Sequence, residues 1–375
     1  MIQRFITSQI ADRLGRGKVI IVTGARQVGK TTLTQELLKQ YSPDKILVFN
    51  GDNLEAQKLS KMSSNQIKAM ITGYDCLLID EAHKINRIGD IVKSLVDELG
   101  SSLQIILTGS STINLIDNTK EPLTGRKRVF ELFPISIGEM NLKPPELQQE
   151  LDTILRFGLY PEIVNEISFQ DKQEALLELA QSSIYRDVLD ITGTRAFGDL
   201  VALLRYLAQN IGQTLSINEA SSKLSIDRRT IDRYINLLIK SYVVFSLYPY
   251  SKRGSISRAY KVYFWDIGIR NALAEDLTEV NLRQDRHVIW QNFCIAERLK
   301  QIKYQRILSH HYFWKSYDGA EVDLVELIGQ DLYGFRFSYE TKNLRPSTVF
   351  QTLNPKSQEI INTQNFISSS FCQFS

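Results

Sequence analysis

The sequence predicts an α/β protein that opens with a doubly wound parallel sheet, continues into a helical region and ends in an α+β region. Three observations predict it. Short apolar runs rich in β-branched residues alternate with helical stretches over roughly the first 130 residues. Long helical stretches without intervening strands follow, and short alternating runs return near the end. At 375 residues the chain is too long for one compact core, since domains cluster near ~100–150 residues. The pattern divides at 1–140, 141–275 and 276–375.

Residues 18–22 (KVIIV) read as a buried parallel strand. A glycine-punctuated turn follows, then TTLTQELLKQ, made of good helix formers without a breaker. Residues 46–49, 76–79 (CLLI) and 104–107 (QIIL) supply three more strands, and 128–132 (RVFEL) a fifth before Pro134. Between the third and fourth, GDIVKSLVDEL places Ile91, Leu95 and Leu99 on one helical face. Further on, KQEALLELAQSSIYRDVL and FGDLVALLRYLAQNIG read as long helices. Residues 214–266 read helix, turn, helix, then two aromatic-rich strands. Residues 285–375 are mixed, with a helix near 290–299 and strands near 322–326 and 332–339.

Composition excludes several classes. A net charge of +3 gives no whole-molecule field for nucleic acid, so any basic surface is local. The cysteines, Cys76, Cys294 and Cys372, are far apart and lack metal-ligand spacing, and four histidines give no zinc pattern. Reduced thiols are expected. The first residues, MIQRFITSQIADRLGRGK, have no apolar h-region, and no apolar run approaches the ~18–20 residues of a membrane helix. The expectation is a cytoplasmic protein with no membrane partner.

The segment Gly24-Ala25-Arg26-Gln27-Val28-Gly29-Lys30-Thr31, followed by Thr32, fits G-x-x-x-x-G-K-[ST]. Glycines let the backbone turn so that successive N–H groups converge on phosphate oxygens, and the following helix aims its N-terminus at the same anion. Lys30 is expected to reach the β- and γ-phosphates, and the Thr31 hydroxyl to ligate Mg²⁺. Some fifty residues on, an apolar strand delivers Asp80 and Glu81 at its carboxyl end, where open α/β sheets bind ligands. Asp80 is expected to hold Mg²⁺ and Glu81 to orient the attacking water. In ILTGSS, Thr108 or Ser110 is placed to sense the γ-phosphate, with helix capping as the bland alternative. Arg126 and Arg128 are candidates for a finger acting in trans, against the default of solvated surface arginines. Asp80-Glu81-Ala82-His83 also spells the box of superfamily 2 helicases, but residues 150–375 show no second βα-alternating lobe, so that reading is set aside.

The stretch LSINEASSKLSIDRRTIDRYINLLIKSYVVFSL has the rhythm of a helix-turn-helix. Ser216 is expected to cap a first helix with Ala220 and Leu224 inward, and Ser225 a second over about 226–239 with Ile231, Ile235 and Leu238 buried. Arg228, Arg229 and Arg233 are left on the outer face. Strands at 243–248 and 261–265, joined by a segment holding Lys252 and Arg253, would form a wing. Residues 221–270 carry ten Lys/Arg against three Asp/Glu, an excess suited to phosphate contacts with duplex DNA. A protein-packing module is the alternative.

The ordered set GARQVGKTT, LLIDEAHKI, IILTGSS, GRKRVFELFPISIGEM, GLYPE, IYRDVL, the helix-turn-helix and VYFWDIGIRNAL resembles prokaryotic AAA-type ATP-binding proteins with a C-terminal domain of unknown function, over roughly residues 1–350. The resemblance implies ATP with Mg²⁺, a P-loop ATPase domain, a winged helix and a terminal domain similar to restriction-endonuclease-like nucleases. Proteins of this type often assemble, so a homo-oligomer or a protein partner is left open. For the nuclease pattern, Glu297 fits the helical acid, and Glu321 with Asp323 fits Glu-x-Asp. The third strand departs from the pattern: Arg336 and Ser338 stand where an acid and a lysine are expected, and Glu340-Thr341-Lys342 comes ~13 Å late. A degenerate, non-cleaving domain is the preferred expectation.

Overall fold

In the computed structural model the chain is described over residues 2–110, 123–192, 197–251, 259–340 and 345–367, with the backbone alone for 182–192. It forms two compact units, Met1–Phe133 with Lys240–Tyr242, and Pro134–Ile239 with Val243–Ser375.

The first unit runs α1 (Phe5–Ala11), β1 (Val19–Thr23), α2 (Lys30–Leu38), β2 (Ile46–Asn50), α3 (Leu54–Lys58), α4 (Ser64–Ile71), β3 (Cys76–Asp80), α5 (Ile88–Leu99), β4 (Gln104–Gly109) and β5 (Lys127–Glu131). The strands lie within two residues of the expected runs. They form one sheet in the order β2-β3-β4-β1-β5, with every neighbouring pair parallel. β1 and β4 are buried along their whole length while the edge strands β2 and β5 are mostly half-buried, which is why the central strands read as unbroken apolar runs. One face of the sheet packs Val19, Ile21, Leu77, Ile79, Ile105 and Leu107 against α4 and α5. The buried stripe of α5 is Ile88, Val92 and Leu95, and Ile91 and Leu99 flank it half-buried, a small rotation from the expected face.

Two features shape the carboxyl edge of this sheet. β4 separates β1 from β3, so three carboxyl ends, Thr23, Asp80 and Thr108, open on the same edge. The Gly24 to Gly29 turn leaves β1 at that edge and runs into α2.

The second unit continues with α6 (Pro144–Phe157), α7 (Pro161–Asn165), α8 (Phe169–Thr192), α9 (Phe197–Gln209), α10 (Ile217–Leu224), α11 (Arg228–Lys240), β6 (Val244–Pro249), β7 (Lys261–Phe264), α12 (Ile267–Leu273), α13 (Arg286–Gln305), β8 (His310–Lys315), β9 (Glu321–Ile328), β10 (Asp331–Ser338), α14 (Thr348–Gln351) and β11 (Ser357–Asn362). Its mixed sheet has the order β11-β10-β9-β8-β6-β7. The two strands expected to form a wing pair as a hairpin and are the end of a larger sheet: beyond its pairing with β7, β6 runs on beside β8 through Tyr248↔Tyr312 and Pro249↔Phe313. β8 and β11 are not among the expected strands, although Asp318-Gly319 follows the one and Asn354-Pro355 precedes the other, because neither short run alternates cleanly.

The helix-turn-helix differs in one cap. Ser216 accepts from Glu219 N at 3.2 Å and caps α10 as expected. Ser225 instead takes the left-handed position that ends α10, with φ 57°. The cap of α11 falls to Asp227, which accepts from Arg229 N at 2.9 Å.

The GLYPE and WDIG segments meet in space. Asp266 caps α12 by accepting from Ile269 N at 3.1 Å, and also accepts from Leu159 N at 2.7 Å. Gly268 lies so close to Phe157 that a Cβ there would sit 2.0 Å from its carbonyl oxygen. Asn271 donates to Leu155 O and Arg156 O at 2.8 and 3.0 Å. These motif residues are structural pins. Replacing Asp266 with Ala orphans a buried amide and removes a cap, so the second unit should lose about 2–4 kcal/mol, read as a lower urea midpoint.

Candidate functional site

The phosphate loop is shaped by residues that have no freedom to be otherwise. A Cβ on Gly24 would fall 2.1 Å from Leu132 O, so only glycine lets β1 leave the sheet here. Gly29 holds φ 97° as the residue before α2, and Gln27 takes φ 58° in the turn. Lys30, only 5% exposed, folds back over the loop and donates to Gly24 O at 3.0 Å and Ala25 O at 2.8 Å. An ammonium held on two neutral carbonyls beside converging N–H groups suits a triphosphate, whose charged oxygens are the stronger acceptors. Arg26 is half-buried beside it, while Val28 is fully buried and Thr32 exposed.

Asp80 joins the three strand ends. Its Oδ2 accepts from the Thr31 hydroxyl at 3.0 Å, and its Oδ1 accepts from the Thr108 hydroxyl. Thr108, fully buried, in turn accepts from Glu81 N at 3.1 Å. Its hydroxyl is thus spent on Asp80 and Glu81, and Ser110 is buried just beyond the end of β4. Thr31 and Asp80 present hard oxygen donors of the type Mg²⁺ takes. Glu81 adopts the left-handed conformation, φ 47°, and its Oε2 lies 3.2 Å from His83 Nδ1. Burial lowers the His83 pKa more than Glu81 raises it, with Lys84, Lys30 and Arg26 adding to the fall. Gly51 closes the far side of this turn, donating to Asp80 O at 2.8 Å.

The candidate finger residues lie elsewhere. Arg126 O accepts from Val19 N, and Arg128 is in register with Ile20, so both sit at the amino end of β1, away from the loop. Arg126 also pairs with Asp97 of α5.

Two residues of the loop's surroundings carried no sequence signal. Arg4 donates to Val28 O at 2.8 Å and Phe133 O at 2.6 Å, although it stands more than twenty positions before the loop. Tyr242, at φ 58°, brings its hydroxyl to 2.8 Å from the Thr23 Oγ1, and burial pushes its pKa well above the usual range. Neither a lone arginine nor a tyrosine in a turn departs from background in one sequence. Cys76 and Cys294 are buried free thiols, and burial pushes Cys76 up to about 12.

In the second unit, α11 buries Ile231, Tyr234, Ile235 and Leu238 and exposes Arg228, Arg229 and Arg233, none of them ion-paired among the described residues. Lys252 and Arg253 lie outside the described residues. The carboxylates of the nuclease pattern are not brought together. Glu297 accepts from Ile137 N at 2.8 Å and pairs with Lys300 at 2.7 Å, both buried. It is Gln291, six residues or ~9 Å earlier on α13, that donates to Asp323 at 2.6 Å. The other Asp323 oxygen accepts from Phe337 N at 2.7 Å, and Glu321 pairs with Lys261 of β7. Arg336 donates to Arg345 O, Ser338 is buried, and Glu340 pairs with Arg286 at 2.7 Å. Lys342 lies outside the described residues. Among the described residues no group of three His, Cys, Asp or Glu side chains is placed to hold a metal ion. No helix among them is long and apolar enough to cross a membrane.

Residues 16–141 match an AAA domain. The rest of the chain is similar to two domains of unknown function, DUF8612 over residues 148–281 and DUF4143 over 288–369. An uncharacterized protein of Mycobacterium bovis is 26% identical over 343 residues, 89% of this chain and 73% of its own length. Another, of Methanocaldococcus jannaschii, is 23% identical over 79% of this chain and 73% of its own. Among solved structures, AMPPCP-bound DnaA from Aquifex aeolicus is 15% identical with a TM-score of 0.30, covering 63% of this chain and 86% of that one. Pif1 helicase from Candida albicans is 15% identical with a TM-score of 0.28, covering 48% of each chain.

Two expectations follow from this geometry. Thr108→Val keeps the side-chain shape but removes one bond each from Asp80 and Glu81 N, leaving Asp80 held by Thr31 and by Glu81 N at 3.0 and 3.2 Å. If the site hydrolyses ATP, phosphate release should drop about tenfold with the affinity for ATP within about threefold of wild type. The second concerns pH. Burial of the Asp323 carboxyl raises its pKa to about 6 against the pull of Phe337 N, Lys261 and Gln291. A raised folded pKa contributes stability that is complete below the unfolded value of ~3.9 and lost as pH climbs through about 6. Asp323→Asn removes this titration, at the cost of one of the two hydrogen bonds, so the loss of unfolding free energy between pH 5 and pH 8 should be about 1 kcal/mol smaller than in wild type in thermal melts.

Proposed function

We propose that this protein is a Mg-dependent ATPase whose nucleotide state governs its helix-turn-helix, and that the latter contacts the backbone of duplex DNA. The observation that carries the reading is the convergence of Lys30, Thr31, Asp80 and Glu81 on one edge of a parallel sheet, with β4 between the two motif-bearing strands. The loop N–H groups and the α2 N-terminus take the phosphates, and Lys30 transfers its hydrogen bonds from Gly24 O and Ala25 O to β- and γ-oxygens. Thr31 and Asp80 would hold Mg²⁺, which supplies neutralisation of charge on the phosphates. Glu81 orients and polarises the attacking water once it turns from His83. The exposed arginines of α11 supply backbone contacts rather than base readout.

The contact between Glu81 and His83 also favours a second reading, a nucleotide switch that binds ATP and turns over little. The C-terminal carboxylates enter neither reading, since each is engaged in a hydrogen bond or ion pair of its own unit.

Phosphate release from Mg-ATP, measured with and without duplex DNA, tests the proposal. Release should disappear in Lys30→Ala and fall about 10²–10⁴-fold in Glu81→Gln while that variant still binds ATP. DNA should raise the wild-type rate, and changing Arg228, Arg229 and Arg233 to Ala should lower the slope of log affinity for DNA against log salt by about 2–3. Tight ATP binding with no release, with or without DNA, selects the switch. Unchanged ATP binding by Lys30→Ala refutes both.

A further inference from the structure

The Arg4 guanidinium is 8% exposed and spans two carbonyls, Nη1 to Val28 O at 2.8 Å and Nη2 to Phe133 O at 2.6 Å. These acceptors are not equivalent. Val28 is the residue before Gly29, and Phe133 follows Leu132, whose N–H donates to Thr23 O at 2.7 Å and whose carbonyl closes over Gly24. One side chain thus ties the last turn of the phosphate loop to the strand exit beside its first residue.

The peptide plane gives that tie a direction. The chain has no cis peptide among its described residues, and a trans peptide sets C=O and the next N–H on opposite sides of a rigid unit. Fixing Val28 O on Arg4 therefore turns Gly29 N–H away from Arg4, and the φ of 97° at Gly29 carries the chain from that plane into α2. The neighbouring Lys30 is the group that reaches the β- and γ-phosphates in the reading above, so Gly29 N–H is the amide beside it. A guanidinium is suited to this task because its planar fork binds two acceptors at once and its charge does not depend on pH.

We propose that Arg4 is a positioning residue for nucleotide binding, holding the Val28–Gly29 peptide so that its N–H faces the phosphates before ATP arrives. The proposal rests on the nucleotide reading of the loop. Its effect belongs to binding and not to chemistry, because an amide aimed at a bound phosphate serves ground and transition states alike. A buried cation with a merely general packing role would lower stability without separating affinity from rate.

The test compares wild type, Arg4→Met, Arg4→Lys and Lys30→Ala of the full chain, each checked for folding by circular dichroism. ATP affinity is measured by titration calorimetry, and kcat and KM by phosphate release. The expected result is an affinity about tenfold weaker in Arg4→Met, with KM raised in step and kcat within about twofold of wild type. Arg4→Lys keeps the charge but loses the fork, so it should also weaken binding by several-fold, and it carries the comparison if the methionine variant does not fold. Wild-type affinity in a folded Arg4 variant overturns the proposal, as does a fall in kcat at unchanged KM. Failure of the wild type to bind ATP, or equal binding by Lys30→Ala, overturns the nucleotide reading itself. Binding lost in Lys30→Ala but kept in both Arg4 variants sinks the positioning role alone.

Discussion

The arrangement of the first unit turns on the Asp80 carboxylate. Thr31 reaches it from α2 and Thr108 from β4, and Asp80 itself ends β3. Each contact constrains a different part of the site: the helix that carries Lys30, the strand between the two motifs, and the turn that displays Glu81. The strand order matters because of this. With β4 next to β3, the Thr108 hydroxyl ties the carboxyl end of β3 to its neighbouring strand. A buried polar network of this kind is useful only when its members are satisfied, and the Thr108 hydroxyl, donating to Asp80 and accepting from Glu81 N, uses both of its roles.

The phosphate loop and its strands were legible in the sequence because local chemistry decides them. Gly24 and Gly29 stand where the backbone needs contact distance or positive φ, and β-branched runs stand where both faces of a sheet are covered. The supports of the site were not legible. Arg4 acts on Val28 across 24 positions and Tyr242 on Thr23 across 219, and no local rule connects residues at such separations. Thr108 falls between these cases. Its position at the end of the fourth strand marked it as a candidate, but its contact with Asp80 depends on strand order, which no local rule supplies.

The second unit shows the converse, where motifs carried recognition but not chemistry. Asp266, Gly268 and Asn271 in WDIGIRN contact the chain around Leu155 to Leu159, the first and last through buried side chains and Gly268 through close backbone approach. Sequence patterns alone do not distinguish a carboxylate that caps a helix from one that handles a substrate. Glu297 illustrates the error. Its place on a helix before Glu-x-Asp suggested a metal ligand, but α13 turns it towards Ile137 and Lys300 and presents Gln291 to Asp323 instead. The wing strands also gave no hint of a further neighbour: β6 pairs with β8, whose run HHYFWK does not alternate cleanly.

Glu81 ties these threads to turnover. Its left-handed backbone is unusual for a non-glycine residue, and such strain persists only where neighbours hold it. Gly51 against the Asp80–Glu81 backbone and Thr108 against Glu81 N are those neighbours. The backbone is therefore held on two sides, while the carboxylate lies 3.2 Å from the His83 imidazole, whose pKa burial lowers. Under the proposed function, a carboxylate on so firmly held a backbone would have only to leave one contact with His83 to face a bound nucleotide, so that a small conformational free energy would separate a bound, idle site from a hydrolysing one.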